Sequence, residues 1–369
     1  MQIEAVELRT VSLPLKSPFR TSFGTERVKD ALLVRVVADE CEGWGECVAS
    51  AEPLYSSEYL AGAMDVMTSF LLPILFASGD LAAADISRVL SPVKGHRMAK
   101  AALEMAVLDA ELRGSGTSLA RRLGGVVDRV PSGVSVGIMD SVPQLLDAVG
   151  GYLDQGYVRI KLKIQPGWDV DVVGAVRERF GDIPLQVDAN AAYRLSDARQ
   201  LCRLDAFDLL LVEQPLAEED LRRHAELARL MTTPICLDES IVSASSAADA
   251  ISLGACRVIN IKAGRVGGYL EAVRIHDLAV ASGVAVWCGG MVETGLGRAA
   301  NVALASLPGF TLPGDVSGSD RFFAEDLTEP VVMRGGYVDV PTGPGIGATP
   351  LDTAMKRMTT SQSTVSRHG

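Results

Sequence analysis

Five short apolar runs each close on a charge: VRIKLK (158–163), PLQVD (184–188), LLLVE (209–213), ICLD (235–238) and VINIK (258–262). Their last residues, Lys163, Asp188, Glu213, Asp238 and Lys262, follow one another at intervals of 25, 25, 25 and 24 residues. Runs of this length, rich in Val, Ile and Leu, read as strands buried on both faces. The stretches between them, such as 169–180 and 219–231, have room for one helix each. Working outward, GVSVGI (133–138) precedes the series, and VAVWC (284–288) and FTLPGD (310–315) follow it. Eight strands alternating with helices predict an α/β fold built as a parallel (β/α)8-type barrel. About 190 residues is short for that architecture, so one connection is expected to be abbreviated or irregular.

The first 125 residues have a different texture. Residues 2–15 and ALLVRVVA (31–38) read as strands, WGE (44–46) ends another, and 57–124 turns helical, most clearly in MAKAALEMAVLDAEL (98–112). This predicts an N-terminal α+β capping domain over 1–125, followed by the barrel over 126–324. Beyond the barrel the chain is rich in Gly and Pro (PTGPGIG, 341–347), and part of 325–355 is expected to pack back on the first domain. The polar stretch 356–369 reads as a mobile tail.

Composition removes several chemistries. With 35 Lys and Arg against 46 Asp and Glu, the chain carries −11, which argues against a nucleic-acid partner. Four histidines in 369 residues disfavour histidine triads and zinc centres. Six scattered cysteines without a CxxC pattern are expected to be reduced. The N-terminus begins as an alternating strand rather than a leader, and the apolar run at 70–76 contains Pro73 and is too short to span a bilayer. The expectation is a cytoplasmic protein with no membrane partner.

Catalytic groups in a parallel barrel gather at the C-terminal ends of the strands, where the five periodic charges lie. Asp188, Glu213 and Asp238 come from neighbouring strands, and three converging carboxylates repel one another unless a cation neutralises them. An all-oxygen set suits Mg²⁺, with Mn²⁺ or another divalent cation able to substitute. Lys161 and Lys163 are two apart on one strand and point to one side. Lys163 on strand two and Lys262 on strand six stand opposite each other in an eight-stranded barrel. Two opposed amines can take a proton from one face of a carbon and return one to the other. A lysine base needs a depressed pKa, and a dication, Lys161 and Arg265 are all placed to push that way.

KLK (161–163), VDAN (187–190), EQP (213–215), DES (238–240) and NIKAGRVGG (260–268) together resemble the enolase superfamily and its muconate-lactonising-enzyme-like subgroup. Within it, PFRTSFG (18–24), GHRMAKAALEMAVLDAEL (95–112), GVSVGIMD (133–140) and WCGGMVETGLGRAANVALASLP (287–308) are similar to the N-acylamino acid racemase and o-succinylbenzoate synthase family. Ala263 departs from the proline that this family often has after the base lysine. The resemblance implies an enolase-like modified TIM barrel with Mg²⁺ on Asp188, Glu213 and Asp238. It also implies Lys163 and Lys262 as the acid/base pair, Lys161 on the substrate carboxylate, and Asn190, Glu239 and Arg265 as supporting groups. The implied chemistry abstracts the proton α to a carboxylate through an enediolate, giving racemisation or loss of water. A homo-oligomer, with an octamer among the expected states, is implied as well.

For the substrate pocket the expected residues are Phe19 and Phe23 on a flap, Tyr55 in a second loop, and Ser135 near the end of strand one. Gly289, Gly290 and Met291 after strand seven complete it. Arg20 reads equally as a solvated loop charge or as a partner for an acyl carboxylate. Competing readings are a dipeptide epimerase or muconate cycloisomerase, a Schiff-base lysine aldolase, and a non-catalytic binding barrel.

Overall fold

The apolar runs of the barrel region pair side by side in chain order. In the computed structural model, which describes residues 1–22, 24–38 and 41–367, seven of them form one parallel sheet. Barrel strands one to seven are Gly133–Val136, Arg159–Lys163, Leu185–Asp188, Val212–Glu213, Ile235–Leu237, Val258–Ile261 and Ala285–Cys288. The eighth run, 310–315, closes the barrel through isolated bridges, Phe310 to Val286 on one side and Gly314 to Ser132 on the other. Gly133 N–H donates to the Gly314 carbonyl (2.8 Å), and Asp315 N–H to the Cys288 carbonyl (2.9 Å). Pro313 has no N–H to give, so this segment links the barrel without a regular ladder. The abbreviated connection that the short length of the region implied is the one between strands three and four, a succession of 3₁₀ and short α turns over Leu195–Phe207.

Strand register aligns the charges at the barrel rim. Lys163 pairs with Asp188 across strands two and three, and Asp188 with Glu213 across strands three and four. One amine and two carboxylates therefore stand in a row at the same level of the barrel.

The capping domain is an antiparallel sheet of β1 (Ile3–Thr21), β2 (Gly24–Ala38) and β3 (Cys41–Cys47). The helix Arg97–Gly114 lies across β3, with thirteen of its eighteen residues buried. It approaches closely because Gly43 and Gly45 face it: a Cβ on either would sit 2.1 Å from a helix carbonyl oxygen. Two expectations need correction here. The 356–369 segment is not a mobile tail over its described length, because Thr359–Ser366 pairs antiparallel with β1 as the sheet's fourth strand. Its polar side chains face solvent while its backbone satisfies the edge of β1, a stabilisation that no side-chain pattern announces. The apolar stretch around Phe70 is also longer than expected, continuing as an 18-residue helical run, Leu60–Ala77, of mean hydropathy 1.8. A third of that run is buried, including Met67, Leu71, Leu72 and Leu75 in the capping-domain core.

Two capping-domain carboxylates dock onto barrel helices. Glu104 accepts from the N–H groups of Tyr269 (2.7 Å) and Leu270 (3.2 Å) at the start of the helix Tyr269–Ala281. Glu46 accepts from Thr294 N–H (3.0 Å), Thr294 Oγ1 (2.7 Å) and Gly297 N–H (3.0 Å) at the start of Gly295–Ala305. Both satisfy donors that a helix start leaves unpaired. Gly268 makes the first contact possible, since its φ is +136° and a Cβ there would fall 2.0 Å from a Glu104 oxygen.

Burial pushes Glu104 up to about 8, against the lowering effect of the two N–H groups, with Glu271 adding to the rise. The folded state then holds a proton that the unfolded chain has released above its ordinary value of 4.5. Stability is therefore expected to fall as pH rises from about 5 to about 8. Glu104→Gln should flatten that slope, changing the stability difference from the parent by on the order of a few kcal/mol over the interval. Melting both proteins at several pH values checks this; parallel curves would contradict it.

Candidate active site

The residues that close the barrel strands meet at one end of the barrel, beneath the capping domain. Asp188, Glu213 and Asp238 are 1%, 0% and 0% exposed, and Lys161, Lys163 and Lys262 are 2%, 8% and 7% exposed. Long buried side chains reach one another between nearby strands. Lys163 Nζ lies 2.6 Å from Asp188 Oδ2 and 2.6 Å from Asn190 Oδ1. Lys161 Nζ lies 3.0 Å from Glu213 Oε2, 3.3 Å from Asp188 Oδ2 and 2.7 Å from Asp315 Oδ2. Lys262 Nζ donates to Asp238 Oδ2 (2.8 Å) and to the Tyr55 hydroxyl (3.0 Å), and Arg265 Nη1 bonds the other Asp238 oxygen. Asn190 Nδ2 donates to Glu239 Oε1 (2.9 Å), which ties Lys163 to Glu239 through one amide.

The electrostatics separate these carboxylates. Burial would raise the Asp238 pKa, but Arg265 and Lys262 outweigh it and hold the group well below the usual carboxylate range. Glu213 goes the other way: burial, with the Asp188 charge adding, pushes it up to about 8 despite Lys161. Burial would lower the Lys262 pKa, yet Asp238 outweighs it and raises the group well above a free lysine. Arg265 pushes Lys262 down as expected, but Asp238 outweighs it, and while Asp238 is its partner Lys262 is held as the ammonium. Lys161 is raised in the same manner by Asp315, Glu213 and Asp188, which together outweigh its burial.

Among the described residues, no group of three His, Cys, Asp or Glu is gathered closely enough to hold a metal as it stands. Each of the three carboxylates instead takes an amine or guanidinium. The donor set nevertheless fits a hard divalent cation. Every donor is a carboxylate oxygen, Glu213 is under-neutralised by its neighbours, and Glu239 Oε2 beside Asp238 is buried with no hydrogen-bond partner among the described residues.

Lys163 and Lys262 line a common cavity of about 70 Å³ together with Phe19, Tyr55, Asn190, Gly290 and Met291. A second chamber of about 60 Å³ adjoins it, lined by Phe19, Ser135, Lys161, Lys163, Lys262, Gly290 and Asp315 among others. Ser135 Oγ is buried there without a hydrogen-bond partner among the described residues. Two expected pocket residues lie elsewhere or undescribed. Gly289 is buried behind the cavity, where a Cβ would fall 2.1 Å from Asn260 Oδ1, and Phe23 lies outside the described residues. Arg20 pairs with Asp140 (3.0 Å) as an exposed loop contact. Tyr55 does more than line the pocket, since its hydroxyl sits among Lys262, Arg265 and Asp238.

Sequence reasoning missed several residues. Asn260 Nδ2 donates to Glu213 Oε1 (2.6 Å), and Lys29 of β2 reaches down to the Met291 carbonyl (3.0 Å). Val292, at φ +56°, is a β-branched residue in the left-handed region, a strained conformation at the cavity wall. Asp315 and Arg159, paired at 2.9 Å, were also overlooked. Asp315 closes the eighth run as the other charges close theirs, and Arg159 stands two before Lys161, so both carried a signal.

The chain matches known families along nearly its whole length. Residues 3–124 match the mandelate racemase/muconate lactonizing enzyme N-terminal domain, and residues 144–354 match the enolase C-terminal domain-like family. An N-succinylamino acid racemase of Amycolatopsis is 65% identical over 363 residues, 98% of this chain and 99% of the relative. An o-succinylbenzoate synthase of Geobacillus kaustophilus is 48% identical over 349 residues, 94% of this chain and 93% of that one. A solved enolase-superfamily member from Listeria innocua superposes with a TM-score of 0.96 at 40% identity, covering both chains completely. With both domains matched and the opposed lysines and carboxylate row in place, the chain belongs to the enolase superfamily, in its mandelate racemase/muconate lactonizing enzyme branch.

Proposed function

We propose that this chain moves the proton α to the carboxylate of N-succinyl and related N-acyl amino acids, and that the same groups serve o-succinylbenzoate synthesis. The observation that carries this reading is that Lys163 and Lys262, from strands two and six, line a common cavity above a row of carboxylates. In racemisation one lysine takes the α-proton from one face and the other delivers a proton to the opposite face. In the synthase reaction water leaves from the carbon next to the deprotonated one, and Lys163 alone supplies both proton transfers. Lys161, kept cationic by its three carboxylates, holds the substrate carboxylate. Asn190 and Tyr55 orient Lys163 and Lys262, and Glu239 and Arg265 fix them in turn.

Asp188, Glu213 and Asp238 would hold the cation, taken as Mg²⁺ with Mn²⁺ as a substitute. Such an ion supplies Lewis-acid neutralisation of the second negative charge that grows on the substrate carboxylate. The two adjoining chambers, which share Phe19 and Gly290, take the acyl group and side chain, with Met291 lining one and Ser135 Oγ offering a hydrogen bond in the other. The reading also takes the enzyme to be a cytoplasmic homo-oligomer with a small carboxylate as its partner.

The test assays the purified chain on N-succinyl amino acids and on the synthase substrate side by side, with and without EDTA. Both activities are expected, each lost with EDTA and restored by Mg²⁺. Activity that survives EDTA, with borohydride trapping a substrate on Lys163 or Lys262, would favour a Schiff-base aldolase instead.

A further inference from the structure

We infer that Asp315 is a positioning residue, which holds Lys161 at the substrate carboxylate from barrel strand eight and is itself anchored by Arg159. The inference rests on the role proposed above for Lys161.

Three carboxylates surround Lys161 Nζ, and Asp315 is the nearest at 2.7 Å. The other two, Glu213 and Asp188, belong to the proposed cation ligands, whose oxygens a divalent ion would draw on. Asp315 is outside that set and remains available to the amine. Its second oxygen lies 2.9 Å from Arg159 Nη1, and Arg159 is fully buried, donating from Nη2 to the Pro313 carbonyl (2.8 Å). Gly133 makes room for that guanidinium: a Cβ there would lie 2.2 Å from Arg159 Cζ. The Trp287 ring sits 4.7 Å from Lys161 Nζ and 5.2 Å from Arg159 Cζ, a shared aromatic wall for both cations. The backbone of Asp315 is fixed as well: its N–H donates to the Cys288 carbonyl, and its carbonyl accepts from Arg298 Nη1.

Lysine is a compact charge on a flexible four-carbon stem, so something must fix where its ammonium points. The chain Arg159–Asp315–Lys161 does so from two strands, within a packed interior. A displacement of about 1 Å in a group that orients substrate can cost about 10²-fold in rate. The competing view is that Asp315 merely neutralises Arg159 and closes the barrel.

A double-mutant cycle separates the two. Asp315→Asn, Lys161→Ala and the double variant are compared for kcat and KM on N-succinyl amino acids, with melting curves for each. Asp315→Asn is expected to lower kcat about 10²-fold with little change in KM, and by less than about threefold in the Lys161→Ala background. Losses that multiply, or a kcat for folded Asp315→Asn within about threefold of the parent, would overturn the inference while leaving the proposed reaction intact. Full activity in Lys161→Ala would overturn the role of Lys161 and this inference with it. Should Asp315→Asn not fold, the cycle runs in an Arg159→Met background, which removes the guanidinium left unpaired.

Discussion

Lys163→Ala and Lys262→Ala are each expected to lower racemisation by roughly 10³-fold or more, since general acid–base groups typically contribute 10²- to 10⁴-fold and each variant loses one face entirely. In D₂O the two variants should differ in a telling way. Each keeps one lysine, so each should still exchange the α-proton of the enantiomer that presents its hydrogen to the survivor. The preferred enantiomer should be opposite in the two proteins. NMR of the α-proton signal, run on both enantiomers with both variants, reads this directly. Equal exchange of both enantiomers in either variant, or full racemisation, would end the two-base reading. Synthase activity should divide the same pair differently, with Lys163→Ala losing most of it. Neither loss is expected to reflect unfolding. Without Lys163, Asp188 retains Lys161 at 3.3 Å; without Lys262, Asp238 retains Arg265.

Much of this site was legible from the chain because a parallel barrel imposes a period. Each barrel strand is covered on both faces and so appears as an unbroken apolar run, and the charge at its C-terminal end marks the functional rim. That logic singled out Lys163, Asp188, Glu213, Asp238 and Lys262, which the structure brings to one end of the barrel. It weakened at strand eight, where Pro313 and Gly314 interrupt the pattern, and Asp315 went unread for that reason. Tyr55 was legible as a pocket residue but not as a partner of Lys262, because its place depends on how a capping-domain loop descends onto the barrel. The left-handed backbone of Val292 is likewise not announced by its residue type; the preceding Met291 is held by Lys29 on its carbonyl and by Glu293 on its N–H (2.7 Å). The strand Thr359–Ser366 escaped for a different reason. Its stabilisation comes from backbone hydrogen bonds to β1, and an exposed edge strand needs no apolar alternation.

Asp238→Asn and Glu213→Gln make the same chemical change in neighbouring carboxylates and are expected to share one consequence and differ in another. Each removes a charged oxygen donor from the proposed cation site. Each should therefore weaken Mn²⁺ or Mg²⁺ binding at least about 100-fold, on the principle that hard cations are held by carboxylate charge, and lose activity with it. Calorimetry or Mn²⁺ EPR on the folded proteins measures this without reference to turnover. The stabilities should part. Asp238 is buried between Lys262 and Arg265, so an amide there leaves two buried cations uncompensated, a loss typically of about 3–5 kcal/mol. Glu213 has one amine at 3.0 Å and one amide at 2.6 Å, and its burial pushes it up to about 8, so near neutral pH and without a cation it holds a proton in the fold. Glu213→Gln therefore replaces a group that is already uncharged near neutral pH and is expected to melt close to the parent, while Asp238→Asn melts well below it. Parental cation affinity in a folded Glu213→Gln protein would remove Glu213 from the ligand set. Equal destabilisation of the two variants would show that the ion pairs around Asp238 do not set its charge.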